Sequence, residues 1–188
     1  MEGQPIAAIS PVKVACKPAD PLEVLFDTHY QRLYRLARRL VPGVEDALDL
    51  VQETFLRAAR SLNSIPTGTV TEQEAWLVRV LINLRRDQWR KDRVRLLHAR
   101  EQTGGQLQIS ADPESAWIAS ATVWRALDQL DPRRRAIVVM HELDAISVPA
   151  IADVLGINPI TVRWHLSAGR RELARVVKSV KGESHEKD

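Results

Sequence analysis

The sequence predicts an all-α protein of two small helical domains joined by a flexible linker, the second containing a helix-turn-helix. Apolar residues recur at helical spacing through nearly every segment, and no stretch alternates with the period of two that a half-buried strand requires. One polar segment with paired glycines, at 101–112, interrupts this pattern and is typical of an interdomain linker. A chain of 188 residues is long enough for two such domains.

The first domain, residues 20–100, begins with two predicted helices. Asp20 and Pro21 supply a cap and a first-turn proline, and the Pro42-Gly43 pair ends the first helix. The second helix is expected over about 45–61. Each helix carries an apolar stripe that would pack in a core: Leu22, Leu25, Phe26, Leu33, Leu36, Ala37 and Leu40 in the first, and Val44, Ala47, Leu48, Val51, Phe55, Ala58 and Leu62 in the second.

The face of the second helix opposite its stripe is acidic. It carries three carboxylates and, at its margins, two leucines: Asp46, Asp49, Glu53, Leu50 and Leu56. Such a face repels DNA and attracts a basic or mixed protein surface, which would also cover the leucines. Stabilisation of the helix N-terminus alone explains Asp46 but not Glu53, which lies beyond the first turn. A carboxylate metal cluster is the weakest interpretation, because the first helix offers only His29 opposite.

The third helix is expected to begin at a capping box of Thr71 and Glu74 and to extend to about Arg100. Beside its core stripe, one face carries basic residues and an amide, with an indole adjacent: Arg79, Asn83, Arg86, Arg90, Arg93 and Trp89. Arginines neutralise phosphates and an indole stacks on bases, so this composition suits a site for single-stranded nucleic acid. We favour that interpretation over an ordinary solvated charged face.

The second domain, residues 113–180, is predicted to begin with helices at Asp112-Pro113 and Asp131-Pro132 and to end in a helix-turn-helix. The first carries Trp117, Ala121, Trp124, Leu127 and Leu130, and the second Ile137, Met140 and Leu143. The tails at 1–19 and 181–188 are expected to be flexible, because the first contains three prolines and the second is polar.

Capping residues and a central glycine define the predicted helix-turn-helix. Ser147 can cap its first helix, with Pro149 in the opening turn, and Asn158 can cap the second, with Pro159 at its first position. Gly156 lies where the turn needs a residue tolerant of positive φ. A second helix presented in this way fits the major groove of DNA.

The recognition helix is expected to direct a polar surface outward: Arg163, Trp164, Ser167, Ala168 and Arg171, with Arg170 and Arg175 near its edges. Arg163 and Arg171 are suited to phosphate or guanine contacts. Trp164 is unusual, since an exposed indole costs solubility unless it is covered. DNA, a protein partner or the preceding helix could cover it.

Two blocks of the chain resemble regions of bacterial sigma factors of the extracytoplasmic-function group. EDALDLVQETFLRAARSL from Glu45, with AWLVRVLINLRRDQWRKDRVR from Ala75, resembles the second region of these proteins. The block WRALDQLDPRRRAIVVMHELDAISVPAIADVLGINPITVRWHL from Trp124 resembles the fourth. The chain departs from the family pattern at Ser147-Val148-Pro149, and at Trp164, His165, Ala168 and Gly169. Residues from about 22 to 177 are covered, in the order that the family has.

The resemblance implies a protein that binds core RNA polymerase, directs it to promoter DNA and helps to open the duplex. The family motif that docks on polymerase matches Asp46, Asp49, Leu50, Gln52, Glu53 and Phe55. The helix that holds the promoter-melting element matches Asn83, Arg86, Asp87 and Arg90, and the loop that captures a flipped base matches 63–71. The helix that reads the distal element matches Thr161, Arg163, His165, Ser167, Arg170 and Arg171. The resemblance also implies an anti-sigma partner.

Two other functions stay open. The motif TVRWHLS also resembles the recognition helix of response-regulator output domains, so a dimeric helix-turn-helix regulator is the second interpretation. Such regulators carry a receiver or ligand domain ahead of the motif, whereas this chain has an acidic-then-basic helical domain. A helical adaptor without nucleic-acid function is the third.

Composition argues against several further classes. The net charge is only +3, and Cys16 is the single cysteine, so neither an intrachain disulfide nor a cysteine-rich zinc site is expected. This fits a cytoplasmic protein, and no apolar run is long enough for membrane insertion. The five histidines are scattered, and neither a nucleophile elbow nor a phosphate loop occurs. We therefore expect no enzymatic activity, no cofactor and no metal.

Overall fold

The computed structural model describes residues 20–103 and 123–185 of the chain. The first range holds three long helices and a short 3₁₀ turn: α1 (Pro21–Leu40), α2 (Val44–Arg60), the turn Leu62–Ser64, and α3 (Val70–Thr103). The second holds a helical segment over 123–128 and three helices: α4 (Pro132–Glu142), α5 (Val148–Leu155) and α6 (Pro159–His185). No strand occurs within these two ranges, which confirms the predicted all-α class.

Side-chain caps set the start of most helices. The Asp20 carboxylate accepts a hydrogen bond from the Leu22 amide at 3.0 Å, and the Asp131 carboxylate accepts one from the Arg133 amide at 3.0 Å. Each satisfies an amide that has no partner inside the helix. Both caps are as predicted.

The capping box of α3 differs from the prediction. Its members are Thr69 and Glu72, since the Glu72 carboxylate accepts from the Thr69 amide at 2.8 Å and the Thr69 hydroxyl from the Glu72 amide at 3.3 Å. Thr71 lies inside the helix, and Glu74 instead forms an ion pair with Arg32 of α1. The sequence offers two Thr-x-x-Glu pairs in succession, and packing of α3 against α1 recruits the second glutamate.

The helix-turn-helix has the predicted local geometry. The Ser147 hydroxyl accepts from the Ala150 amide at 3.4 Å, and the Asn158 side-chain oxygen accepts from the Ile160 amide at 2.8 Å. Gly156 ends α5 with φ +63°, in the left-handed region that a side chain would strain. Val162 and Leu166 of α6 are buried, so the opposite face of that helix is presented outward.

The two halves of the chain pack against each other and share one apolar core. In the first half α1, α2 and α3 form a bundle, and in the second α4, α5 and α6 pack together. α3 also contacts α4 and α5, and α1 contacts α4. Leu77 and Leu81 of α3 and Ile137 of α4 are fully buried in a single cluster that spans both halves. We call this contact of α1 and α3 with α4 and α5 the seam.

The buried cation of the seam is paired through two of its three guanidinium nitrogens, while Nη2 of Arg135 has no hydrogen-bond partner among the described residues. Arg135 of α4 is 2% exposed, its Nε donates to the Arg39 carbonyl oxygen at 2.7 Å, and its Nη1 forms an ion pair with Asp128. Arg39 in turn forms an ion pair with Asp144. Burial lowers the pKa of Arg135 from its usual range, and Asp128 opposes that shift. The seam therefore contains a buried charge whose partners come from both halves.

Several predicted core residues lie at the surface. Phe26, Val44, Leu62 and Leu143 are all exposed, with Phe26 at 42%. Phe26, Val44 and Leu62 lie at the edges of their stripes, and Leu143 follows the last residue of α4, where no neighbouring helix covers its side chain.

Helix ends also differ from the expected domain boundaries. α3 continues to Thr103, into the predicted linker, and α6 continues to His185, into the predicted C-terminal tail. The remainder of the linker, the predicted helix start at Asp112-Pro113 with Trp117 and Ala121, and the N-terminal tail lie outside the described residues.

Candidate nucleic-acid and protein interfaces

The acidic face of α2 is exposed, but one of its predicted members is not. Asp46 and Asp49 are exposed and Glu53 is half-buried, while Leu56 is exposed beside them. Leu50 is 0% exposed, so the prediction that it borders this face is wrong. It lies three residues after Ala47 and four before Thr54, both fully buried, and therefore on the core side of the helix.

An apolar groove that the sequence analysis missed lies between α1 and α2. Phe26 and Phe55 meet in it with ring centroids 4.8 Å apart, and Leu56 and Gln52 complete the wall on the α2 side. Its volume is about 490 Å³, and Asp20 and Glu23 lie at its edge. The sequence signal for it was Phe26, a large apolar residue at the margin of the α1 stripe. The groove places Gln52 and Phe55 beside an apolar surface with an acidic rim.

A second groove, between α2 and α3, brings unlike charges together. Asp46 and Asp49 line it from α2, and Arg85, Lys91 and Arg95 line it from α3. The acidic face of α2 therefore continues directly into basic side chains of α3, although the sequence pattern predicts two separate faces. No ion pair joins the two aspartates to these cations among the described residues, so both remain free to bind a partner.

The basic face of α3 is divided between solvent and the second half of the protein. Arg90 and Arg93 are exposed, whereas Asn83, Arg86 and Asp87 are half-buried. The Arg93 guanidinium lies over the Trp89 ring, 5.2 Å from its centroid. Arg79 instead lies next to the turn of the helix-turn-helix, since a Cβ built on Gly156 would be 3.4 Å from its Nη1. Arg79 therefore does not join the exposed part of the predicted face.

The recognition helix α6 exposes most of the predicted residues. Arg163, Ser167, Arg170 and Arg171 are exposed, and Thr161 and His165 are half-buried. The Arg170 guanidinium forms an ion pair with Glu142, with Nη2 and Oε1 2.6 Å apart. These four exposed residues lie around a small cavity of about 370 Å³ at the base of the helix-turn-helix.

Of two further residues of α6, Trp164 is exposed as predicted and Ala168 is not. Trp164 is 56% exposed, and Arg134 of α4 covers one side of its ring at 5.4 Å from the centroid. Ala168 was expected to point outward but is buried. It lies next to Gly169, where α6 approaches α4 so closely that a Cβ would be 2.7 Å from Val138 Cγ2. This close approach buries the face on which Ala168 lies.

The two predicted nucleic-acid surfaces meet at one cavity of about 800 Å³, which we call the arginine-lined cavity. Helices α3, α4 and α6 contribute its walls, together with the segment before α4: Arg86, Trp89 and Arg93; Gln129, Asp131, Arg133 and Arg134; and Trp164, His165, Glu172, Arg175 and Val176. Burial lowers the pKa of His165, and the positive charges of Arg134 and Arg133 lower it further. The cavity is thus an environment that disfavours additional positive charge.

The described part of the chain offers neither a metal site nor a membrane-spanning helix. Within 20–103 and 123–185, no three His, Cys, Asp or Glu side chains are grouped so that they could hold a metal ion. The helices of these two ranges are also too short or too polar to cross a membrane.

Comparison with known proteins gives matches over both halves. Residues 25–95 match the family model of sigma-70 region 2, and residues 120–173 that of sigma-70 region 4. The ECF RNA polymerase sigma factor SigE of Mycolicibacterium smegmatis is 37% identical over 77% of this chain, which spans 57% of SigE. The ECF RNA polymerase sigma factor SigL of Mycobacterium tuberculosis is 32% identical over 85% of this chain and 90% of SigL.

The fold has also been seen before. The sigma factor RpoE of Bartonella quintana, solved in complex with the anti-sigma factor NepR, aligns with a TM-score of 0.57 at 21% identity. The alignment covers 81% of this chain and 94% of that one. At this identity the likeness supports the fold alone.

Proposed function

Because the chain belongs to the ECF group of RNA polymerase sigma factors, we propose that it binds core RNA polymerase, recognises promoter DNA and helps to melt it. It is not an enzyme, since sigma factors act by binding. This activity belongs in the cytoplasm with the polymerase. Residues 20–100 and 113–180 would act as two units, connected by 101–112, and the two family matches support that division.

The observation that carries the proposal is the charge pattern of the surface. An exposed acidic face with a neighbouring apolar groove on α2 suits a protein partner, whereas faces of arginine and tryptophan on α3 and α6 suit nucleic acid. We assign polymerase docking to Asp46, Asp49, Gln52, Glu53 and Phe55, with Leu50 supporting the helix from the core.

Melting requires that stacked bases separate, at a cost of a few kcal/mol for each base step, and that the protein capture what is exposed. The side chains of Asn83, Arg86, Trp89 and Arg90 supply an amide, two guanidiniums and an indole for that capture. Arg163, Ser167, Arg170 and Arg171 of α6 would contact the distal element in the major groove. Two weak contacts on one chain reinforce each other once polymerase fixes their spacing.

The dimeric regulator explains less of the molecule. Such a protein would use the helix-turn-helix but leave α1, α2 and α3 without a role, whereas the family matches extend over both halves. An anti-sigma factor is a further proposed partner, because the neighbour from Bartonella quintana was solved with one. The acidic face of α2 and its apolar groove are the surfaces we assign to it.

Run-off transcription with purified core polymerase tests the proposal. Addition of the chain should yield transcripts from a promoter of its own genome, and Arg86→Glu/Arg90→Glu should abolish them while leaving polymerase binding intact. Asp49→Lys/Glu53→Lys should abolish polymerase binding itself. The matched control Arg35→Glu/Arg125→Glu changes the charge equally at exposed positions outside both faces and should transcribe normally. Normal transcription by the Arg86/Arg90 variant would overturn the assignment of α3.

A further inference from the structure

The arginine-lined cavity has the properties of a ligand site, and we propose that it binds a nucleoside polyphosphate. Its volume of about 800 Å³ lies within the range of about 300–1,000 Å³ that small-molecule pockets have. It is formed only where the two halves meet, because its walls come from α3 on one side and from α4 and α6 on the other.

The positive charge around the cavity favours the binding of an anion. Five guanidiniums line it: Arg86, Arg93, Arg133, Arg134 and Arg175. Its two carboxylates are already engaged, since Asp131 caps α4 and Glu172 forms an ion pair with Arg134. The other four guanidiniums form no ion pair with any described residue. Several like charges converge here, and a ligand with two or more phosphates would neutralise them.

Buried polar atoms in the same place lack hydrogen-bond partners, and two of them are guanidinium donors. The Nε atoms of Arg86 and Arg134 and Nδ1 of His165 are buried without a hydrogen-bond partner among the described residues. A buried donor without an acceptor is costly, and hydrogen bonds from a guanidinium to phosphate oxygens are among the strong ones. A phosphate group that turned the two guanidiniums toward the cavity would supply the missing acceptors.

The two indoles indicate that the anion carries an aromatic base. Trp89 and Trp164 both line the cavity, and Trp164 keeps 56% of its surface exposed although it lies between charged side chains. Arg93 and Arg134 cover one side of each ring. Nucleobases stack on exposed indoles, whereas phosphate alone would leave these rings uncovered. Base and phosphates together make a nucleotide.

The ligand would have a consequence for promoter binding, which rests on the proposed function. It would contact α3 through Arg86 and Trp89 and α6 through Trp164, and these are the surfaces assigned to DNA. A bound nucleotide would therefore join the two halves and compete with promoter DNA for the same side chains.

Calorimetric titration of the full chain with GTP, tripolyphosphate and guanosine tests the site. We expect saturable binding of one GTP, weaker binding of tripolyphosphate and none of guanosine. Arg133→Gln/Arg175→Gln removes two cavity arginines that were not assigned to DNA and should weaken GTP binding about tenfold or more. The control Arg57→Gln/Arg60→Gln removes two exposed arginines of α2 and should leave GTP affinity unchanged.

A second variant separates base from phosphate. Trp164→Ala should weaken GTP binding while leaving tripolyphosphate affinity unchanged, because only the base stacks on the ring. Absence of GTP binding at millimolar concentration, or an equal loss in the α2 control, would overturn the proposal. So would binding confined to single-stranded oligonucleotides, which would make the cavity part of the DNA path. Promoter opening by the holoenzyme is measured without any nucleotide, so a chain that opens the promoter but binds no GTP refutes only this inference.

Discussion

The two halves of the molecule meet at two places of opposite character. At the seam, apolar side chains of α1 and α3 pack on α4 and α5, and the buried Arg135 has partners from both halves. At the arginine-lined cavity, guanidiniums from three helices face each other. Burial of apolar surface favours contact, whereas like charges oppose it. The seam therefore holds the halves together, and the cavity is the weak side, where they would separate first.

The largest expected effect comes from the buried cation of the seam. Arg135→Ala removes the hydrogen bond to the Arg39 carbonyl oxygen, the ion pair with Asp128 and the packing of the buried side chain, and should lower the free energy of unfolding by about 2 kcal/mol. Urea unfolding monitored by circular dichroism measures this. Arg125→Ala, at an exposed arginine nearby, should change it by less than about 0.5 kcal/mol. Equal effects of the two substitutions would show that the seam does not depend on Arg135.

The next effect concerns the close approach of α6 to α4 at Gly169. Gly169→Ala would place a Cβ 2.7 Å from Val138 Cγ2 and 3.3 Å from Arg134 Cγ, and should push α6 away from α4. The cost of overpacking exceeds the gain in helix propensity from alanine, so we expect the free energy of unfolding to fall by about 1 kcal/mol. Thermal unfolding would detect it, with the exposed Ser167→Ala as the neutral comparison. A rise in stability would mean that α6 shifts without strain.

A smaller effect is expected from the ion pair at the edge of the seam. A double-mutant cycle of Arg39→Gln and Asp144→Asn should give a coupling of about 0.5 kcal/mol, because both side chains are about one third exposed. The coupling should fall in 1 M salt, which screens such pairs. The same cycle on Arg170 and Glu142, a more exposed pair within the second half, should give a coupling nearer to zero.

The smallest effect is a pH dependence at the cavity. The pKa of His165 is lowered in the folded protein, mainly by burial and further by Arg134 and Arg133. As the pH falls, the unfolded chain therefore protonates this side chain at a higher pH than the folded protein does. The free energy of unfolding should therefore fall as the pH drops through about 6.5 and level off below the folded-state pKa. Urea titrations at pH 7.5 and 5.5 measure the free energy of unfolding at each pH. Its decrease between the two should be smaller for His165→Gln than for the parent chain.

Local signals in the sequence were enough to locate most helix starts. A cap depends on a side chain two or three residues away, as at Asp20, Ser147 and Asn158, so it can be recognised without tertiary information. The exception, at Thr69, arose because two candidate boxes overlap, and only the pairing of Glu74 with Arg32 decides between them.

The environment of individual side chains was harder to predict. Leu50 and Ala168 were assigned to outer faces but lie against neighbouring helices, and Phe26 was assigned to the core but lies on a groove. Whether a residue at the boundary of an apolar stripe is buried depends on where the adjacent helix crosses. Helical periodicity in the sequence carries no information about that crossing point. The seam and the cavity both depend on contacts between residues that are far apart along the chain, 96 and 105 positions apart for the partners of Arg39, and were not predicted.

That separation along the chain has a consequence for synthesis. Arg39 meets Arg135 and Asp144, which follow it by 96 and 105 residues. At roughly 10 residues per second, a ribosome would add Arg135 and Asp144 about 10 seconds after it adds Arg39. Until then Leu36 and Val78, which line the seam and are buried in the finished molecule, face water as part of an incomplete surface. The first half should therefore be a client for chaperones during translation, until the fourth helix leaves the exit tunnel and covers it.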